Sequence, residues 1–262
     1  MVRGRARRRH GGCVALVKPA LGQSLLRLFT VQGSWNYERM QGIGVGVAEE
    51  PLLRPLVRNG DQTAYRAAVA RGAHFFNAHP YLCGLVVGAA ARAEHERAAP
   101  EQVERLRAAL CGPLGSLGDR LVWTGWLPCT TGLAIAGVAL GLDLRAVGAF
   151  LVVYNLGHVA LRWWALRAGW AHGLSVGAAL HQPLLQRAAA WSGPAMALAV
   201  GFALPLAARY LAAPFPAGAR VVLAGLAAIG TALLVWRRGQ LDGLRFGLLL
   251  LVGALVVGQA WR

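Results

Sequence analysis

From Leu121 to Leu142 the chain carries no charged side chain. A helix over that stretch, rising about 1.5 Å per residue, matches the ~30 Å hydrocarbon core of a bilayer. It is the best transmembrane candidate in the chain. Asp119 and Arg120 stand at its lip, and Trp123 and Trp126 fall where an amphipathic ring prefers the headgroup boundary.

The remainder agrees that water is not the main solvent. Only 15% of the 262 residues are charged and the mean hydropathy is +0.46, where a soluble domain carries about 25% charged residues. The net charge of +16 comes almost wholly from arginine, with Lys18 the only lysine. In a soluble domain that balance would point to nucleic acid. Here Arg120, Arg145, Arg162, Arg187, Arg209, Arg220, Arg237 and Arg245 punctuate apolar runs instead, as expected of cations that snorkel to an anionic bilayer surface. The lipid bilayer is therefore the expected partner and nucleic acid is not. Cys13, Cys83, Cys111 and Cys129 form no CxxC pair and no metal-ligand spacing, so no metal or other cofactor is expected.

Four further uncharged runs follow the central one: Ala146 to Leu161, Ala188 to Ala208, Val221 to Trp236 and Phe246 to Trp261. Three are at or below the ~17 residues that a spanning helix needs, so they are expected to tilt little or to pair as half-spanning hairpins. RRGQLDGLR carries more arginine than YLAAPFPAGA. The positive-inside rule puts the former in the cytoplasm and the latter, with the carboxyl terminus, outside.

Ahead of the central run the chain is mixed. Residues 1–20 form a basic arm without a clear secretory signal, expected to be disordered and cytoplasmic. LGQSLLRLFT, Leu21 to Thr30, reads as a short amphipathic helix on the membrane face. QGSWNYERMQ sets aromatic, amide, acidic and basic groups side by side, and Pro51 is expected to end the segment that follows. Gly72 to Ala91 is uncharged but interrupted by Asn77, His79 and Pro80. It reads as a broken or re-entrant hairpin, because irregular backbone at membrane depth survives only where protein or a water-filled cavity shields it. Arg92 to Arg107 reads as a solvent-exposed helix of mixed charge.

GPLGSLGD, at 112–119, lacks the Lys-Ser/Thr of a phosphate-binding loop, which leaves a tight turn at a membrane boundary. His74 and His79 do not share a helix face, so a metal pair is not expected there. His158 and His172 read as interfacial hydrogen-bonding groups. No Ser/His/Asp or Cys/His constellation is evident, and no catalytic residue is assigned. WNYERMQ offers what a sugar needs, several fixed donors and acceptors beside an aromatic face. On a helix, Glu38 and Gln41 would share a side with Trp35 one turn earlier. The alternative is that Glu38 and Arg39 are helix-end charges satisfied by salt bridges between subunits. Asp119 carries the same ambiguity.

QGSWNYERMQ at 32–41, HFFNAHPYLCGLVVG at 74–88, GPLGSLGDRLVW at 112–123 and YN...LRWWALRAGW at 154–170 together resemble, in order, the IID membrane component of mannose-family sugar phosphotransferase systems. The resemblance runs from about residue 24 to the end. It implies an all-α polytopic membrane protein with transmembrane helices, broken or re-entrant hairpins and an amphipathic N-terminal helix. Its membrane domain would span 21–262, with an amphipathic and re-entrant front part at 21–111 and transmembrane helices at 112–262. It further implies a non-catalytic subunit of the bacterial cytoplasmic membrane. That subunit would assemble with a IIC partner as a trimer of IIC/IID pairs and move a hexose inward while cytoplasmic IIB, served by IIA, phosphorylates it. Trp35, Asn36, Glu38, Arg39, Gln41, Asn77, His79 and Asp119 are the expected lining of the sugar path or of the IIC interface. Arg120 stands where the family has a small or hydroxyl residue, and ARGAHFFNAHP departs from the family's RHLEFFNTHP. The alternative is a regulatory membrane scaffold of an incomplete system that moves no sugar.

Overall fold

The computed structural model describes residues 19–58 and 60–236. Nearly all of the basic arm lies outside that range, as do RRGQLDGLR and the run from Phe246 to Trp261. Among the described residues the chain is helical, with isolated bridges in place of strands. Contacts divide the described residues into two units, one up to residue 130 and over 151–197, the other over 131–150 and from 198 onward.

The first unit begins with α1, Leu21–Leu28, whose Ser24 and Leu28 are buried while Leu26 is 69% exposed. The helix expected from LGQSLLRLFT therefore forms, and α2, Gly42–Arg58, covers its apolar side. Pro51 does not end α2. Lacking an N–H, it leaves the Val47 carbonyl without its helical partner, and the Arg27 guanidinium of α1 donates to that oxygen at 2.8 Å. The helix therefore continues through Pro51 and Pro55. Next comes α3, Gln62–Gly72, opened by the Asp61 carboxylate accepting from the Ala64 N–H at 3.0 Å.

Residues 73–82 are non-helical, as Asn77, His79 and Pro80 led one to expect. The helix that follows, α4, Cys83–His95, is buried on every side from Cys83 to Ala91, as an all-apolar helix has to be. It makes a backbone-close seam with a later helix, α7, Asp143–His172. A Cβ on Gly88 would lie 2.4 Å from the Trp170 nitrogen, and one on Gly169 2.3 Å from the Leu85 carbonyl oxygen. Leu28, Leu52, Leu53, Phe76, Leu85, Leu114 and Leu166 belong to the single large core of this unit.

Arg92 to Arg107 is not one exposed helix. The chain turns after α4 and restarts as α5, Pro100–Gly118, with Pro100 in its first turn and the Gln102 amide oxygen accepting the Ala99 N–H. Val103, Arg107, Leu110, Leu114 and Leu117 form its buried stripe, a spacing of three and four residues that carries Arg107 inward. GPLGSLGD is not a turn either. The helix runs through Pro113 and widens into a π-helical segment, Asp119–Trp126, before resuming as α6, Leu127–Ala139. In the widened turn the Leu127 N–H bonds the Val122 carbonyl, and the Thr124 hydroxyl takes the Arg120 carbonyl at 2.9 Å. After α7 come a 3-10 turn, Gly173–Ser175, a single turn α8, Gly177–Leu180, and α9, Pro183–Ala212.

Among the described residues, three helical stretches are long and apolar enough to cross a membrane: Pro100–Ala139, Asp143–Ser175 and Pro183–Ala212. The run from Ala146 to Leu161, expected to be short, is therefore part of a longer helix that passes through Arg145 and Arg162, and the longer run from Ala188 to Ala208 lies in a helix that passes through Arg187 and Arg209. Arginine is a good helix former and does not end a helix in the way proline or glycine does. Much of their apolar surface is uncovered, with Leu144 83% and Leu184 81% exposed, which calls for a lipid surround.

The second unit is sewn by small residues. Gly141 (φ +88°) and Asp143 (φ +45°) make its turn. A Cβ on Gly137 would reach the Ala146 methyl at 2.8 Å, and one on Gly132 would reach Ala199 at 3.1 Å, the close approach usual between helices in lipid. Its last described helix is α10, Ala217–Trp236.

Candidate functional site

The site is built on the two stretches that fail to form helix, residues 29–41 and 73–82. They lie along one another. The Gln41 N–H donates to the Phe76 carbonyl at 2.9 Å, the Phe76 N–H to the Arg39 carbonyl at 3.3 Å, and Met40 takes φ +51° between them. Gly42 makes room for this, since a Cβ there would sit 2.0 Å from the His74 carbonyl oxygen.

Irregular backbone carries carbonyls that no helix satisfies, and two buried arginines supply donors. Arg107, 3% exposed, donates to the Gly72 carbonyl at 2.8 Å and the His74 carbonyl at 3.4 Å, lies over the Phe76 ring, and meets Glu49 at 3.4 Å. Arg162, 5% exposed, donates to the Leu28 and Pro80 carbonyls and to His158 Nε2, with its guanidinium over Phe29 and Tyr81. Sequence reasoning placed Arg107 in water and Arg162 at a headgroup. The signal for Arg107 was the apolar stripe of α5 on which it falls.

Beside these stretches opens a cavity of about 680 Å³. Gln32 and Gln41 line it from the first loop, and Phe75, Asn77 and His79 line it from the second. Ser116, Asp119 and Trp123 close it from α5 and the π-helical segment. The structure thus brings together Gln41, Asn77, His79 and Asp119. Gln41 is buried, its amide oxygen accepting from the Cys83 thiol at 3.2 Å. Asn77 and Asp119 are exposed at the cavity.

His79 is the most constrained member. Its Nδ1 accepts the Tyr81 N–H at 3.2 Å, so in the neutral ring the proton sits on Nε2. That Nε2 is buried and has no hydrogen-bond partner among the described residues. Gly118 lets the imidazole in, because a Cβ there would lie 2.2 Å from His79 Cβ. The Tyr81 and Trp123 rings each lie 5.0 Å from it.

The other four sequence candidates are not in the cavity lining. Asn36 turns the loop, its side-chain oxygen accepting the N–H groups of Glu38 and Arg39 at 3.1 and 2.9 Å. This segment is a tight turn and not the helix that would have stacked Glu38 with Gln41. Trp35 packs edge-on against Tyr37, which is 86% exposed, and Glu38 meets Arg39 at 3.6 Å in the open. His158 and His172 do hydrogen-bond, to Arg162 and to the Ala168 carbonyl. An amide, an imidazole N–H, a carboxylate and aromatic faces around one open cavity suit a small polyhydroxylated ligand.

Residues 15–204 match the model of the PTS system mannose/fructose/sorbose family IID component. Among curated proteins, the chain is 30% identical over 156 residues to the PTS system mannose-specific EIID component of Escherichia coli (strain K12), covering 58% of this chain and 54% of that one. It is 31% identical over 168 residues to the PTS system sorbose-specific EIID component of Klebsiella pneumoniae, covering 62% and 60%. The chain thus spans a little over half the length of the curated relatives it matches. Among solved structures, a chain of the mannose transporter ManYZ in complex with microcin E492 aligns with TM-score 0.53 at 25% identity, covering 69% of this chain and 67% of that one. A second membrane protein aligns with TM-score 0.62 at 26% identity and the same coverage. Family match, helical fold and membrane-length apolar helices agree, and the chain belongs to the IID components of the mannose/fructose/sorbose phosphotransferase family.

Proposed function

We propose that the chain is the non-catalytic IID subunit of a sugar permease in a bacterial cytoplasmic membrane. With a IIC partner, as a trimer of pairs, it passes a hexose inward to cytoplasmic IIB, which phosphorylates it with phosphate relayed from IIA. The amino terminus lies in the cytoplasm and the carboxyl terminus outside. One observation carries this reading. The His79 Nε2–H is a buried donor, without a partner among the described residues, in the wall of a cavity that also presents Asn77, Gln41 and Asp119, and a sugar hydroxyl supplies the missing acceptor. Trp35, Asn36, Glu38 and Arg39, on their exposed turn, belong to the contact with IIC.

Uptake of labelled hexose into vesicles, with and without a coexpressed IIC, tests the proposal. Uptake is expected only when both subunits are present. Copurification with IIB but no uptake under any condition would favour the regulatory scaffold.

A further inference from the structure

A second chamber lies among the membrane-length helices, with a volume of about 410 Å³. Leu121, Val122 and Trp126 from the π-helical segment, Leu161 from α7 and Ala188 and Ala195 from α9 give it apolar walls. Nearly every polar group in the wall is already engaged. The Ser192 hydroxyl donates to the Ala189 carbonyl at 2.8 Å, the Cys129 thiol lies 3.7 Å from the Ala195 carbonyl oxygen, and the Tyr81 and Tyr154 hydroxyls share a hydrogen bond of 2.7 Å.

Two groups are left over. Trp126 Nε1 and His158 Nδ1 are buried in this wall without a hydrogen-bond partner among the described residues. Both are donors. Indole nitrogen can only donate, and His158 Nε2 accepts from the Arg162 Nε–H at 2.9 Å, which leaves the imidazole proton on Nδ1. Their positions are fixed. The Trp126 ring lies against Gly157, where a Cβ would approach Nε1 to 2.9 Å, and the His158 ring stacks on Tyr81 at 4.3 Å. Two unmatched N–H groups in an apolar chamber call for a ligand that is hydrocarbon in body and brings carbonyl oxygens, but no donors, to their level.

The bilayer offers such a molecule at this level. Trp126 and Trp191, the latter 71% exposed, line the chamber, and Arg120 and Arg187 stand close by in sequence, the residue types that mark a headgroup boundary. We infer that this chamber binds one phospholipid, its acyl chain between the π-helical segment, α7 and α9 and its ester carbonyls on the Trp126 and His158 N–H groups. The site is separate from the sugar cavity and does not depend on transport.

The test counts bound lipid on the full-length chain in mild detergent by native mass spectrometry, through a delipidation series, using dioleoylphosphatidylglycerol and its ether-linked counterpart. The wild-type chain is expected to hold one ester lipid about tenfold more tightly than the ether lipid, since only the ester offers carbonyl acceptors. Trp126→Phe keeps an aromatic ring but removes the N–H, and is expected to erase most of that preference. Ala195→Phe is expected to fill the chamber and lose both lipids. Equal retention of ester and ether lipid by the wild-type chain would overturn the inference, and that arm does not depend on any variant folding. Unchanged preference in Trp126→Phe would overturn it as well.

Discussion

Glu49 and Glu50 are neighbours on α2 with opposite electrostatics. Glu49 is 1% exposed and meets Arg107 at 3.4 Å, and burial pushes its carboxyl up to about 8 against the pull of that arginine. Glu50 accepts hydrogen bonds from Arg54, Tyr65 and Arg27 at 2.7–2.9 Å, and these, Arg54 foremost, hold its carboxyl below the usual range. Folding therefore raises one value and lowers the other. The contribution of Glu49 is complete below its unfolded value of 4.5 and is lost as pH rises toward 8; that of Glu50 is complete above 4.5 and is lost as pH falls. Thermal unfolding of the full chain in detergent should give a stability maximum on the weakly acidic side. Glu49→Gln should flatten the alkaline limb and Glu50→Gln the acid limb. If both variants keep the wild-type pH profile, the assignment fails.

The seam between α4 and α7 is set by backbone contact. A Cβ on Gly88 would lie 2.4 Å from the Trp170 nitrogen and 2.5 Å from the Leu166 carbonyl oxygen, atoms that cannot rotate away. Gly88→Ala is therefore expected to cost at least the ~1–3 kcal/mol of an overpacked core. Gly112→Ala has nothing within 4 Å of its new methyl and should unfold like the wild type. A melting shift confined to Gly88→Ala is the expected result.

The break at 73–82 was legible because proline and polar residues interrupt an apolar run, and local chemistry decides such breaks. The membrane-length helices were legible as hydrocarbon-sized composition. Their true lengths were not, because arginines taken for helix ends are carried inside α7 and α9. The turn read into GPLGSLGD failed for a related reason: Gly118 is used where the helix passes close to His79, while Gly112 and Gly115 face open space, and helical context overrides the local preference for a turn. The roles of Arg107 and Arg162 were not legible from local sequence. Their partners are carbonyls at helix ends and on loops 33 to 134 residues away, set by tertiary packing.

Arg107 offers a way to separate an ion pair from backbone support. Arg107→Met removes the guanidinium from Glu49 and also from the Gly72 and His74 carbonyls. Above about pH 8, where the Glu49 carboxyl is ionised, breaking this buried pair costs about 3–5 kcal/mol. If the carbonyls matter, adding Glu49→Gln to Arg107→Met should recover less than half of that loss, because the loop stays unsupported in both. Full recovery in denaturation experiments would mean that the pair alone explains the arginine.

The orphan proton of His79 gives the sharpest test of the cavity. The ring has two roles on two atoms: Nδ1 accepts the Tyr81 N–H and keeps the loop in shape, while Nε2–H has no partner among the described residues. His79→Asn places a carbonyl oxygen near the position of Nδ1 and nothing at Nε2, so the loop bond can persist while the donor is lost. Such a variant is expected to assemble and melt close to the wild type, yet to lose about tenfold or more in the uptake ratio kcat/KM, the magnitude of one hydrogen bond to a bound sugar. His79→Ala removes both functions and should also lower the melting temperature. The contrast between the two variants separates a binding role from a packing role. Wild-type uptake by a well-folded His79→Asn protein would show that the sugar does not touch this histidine.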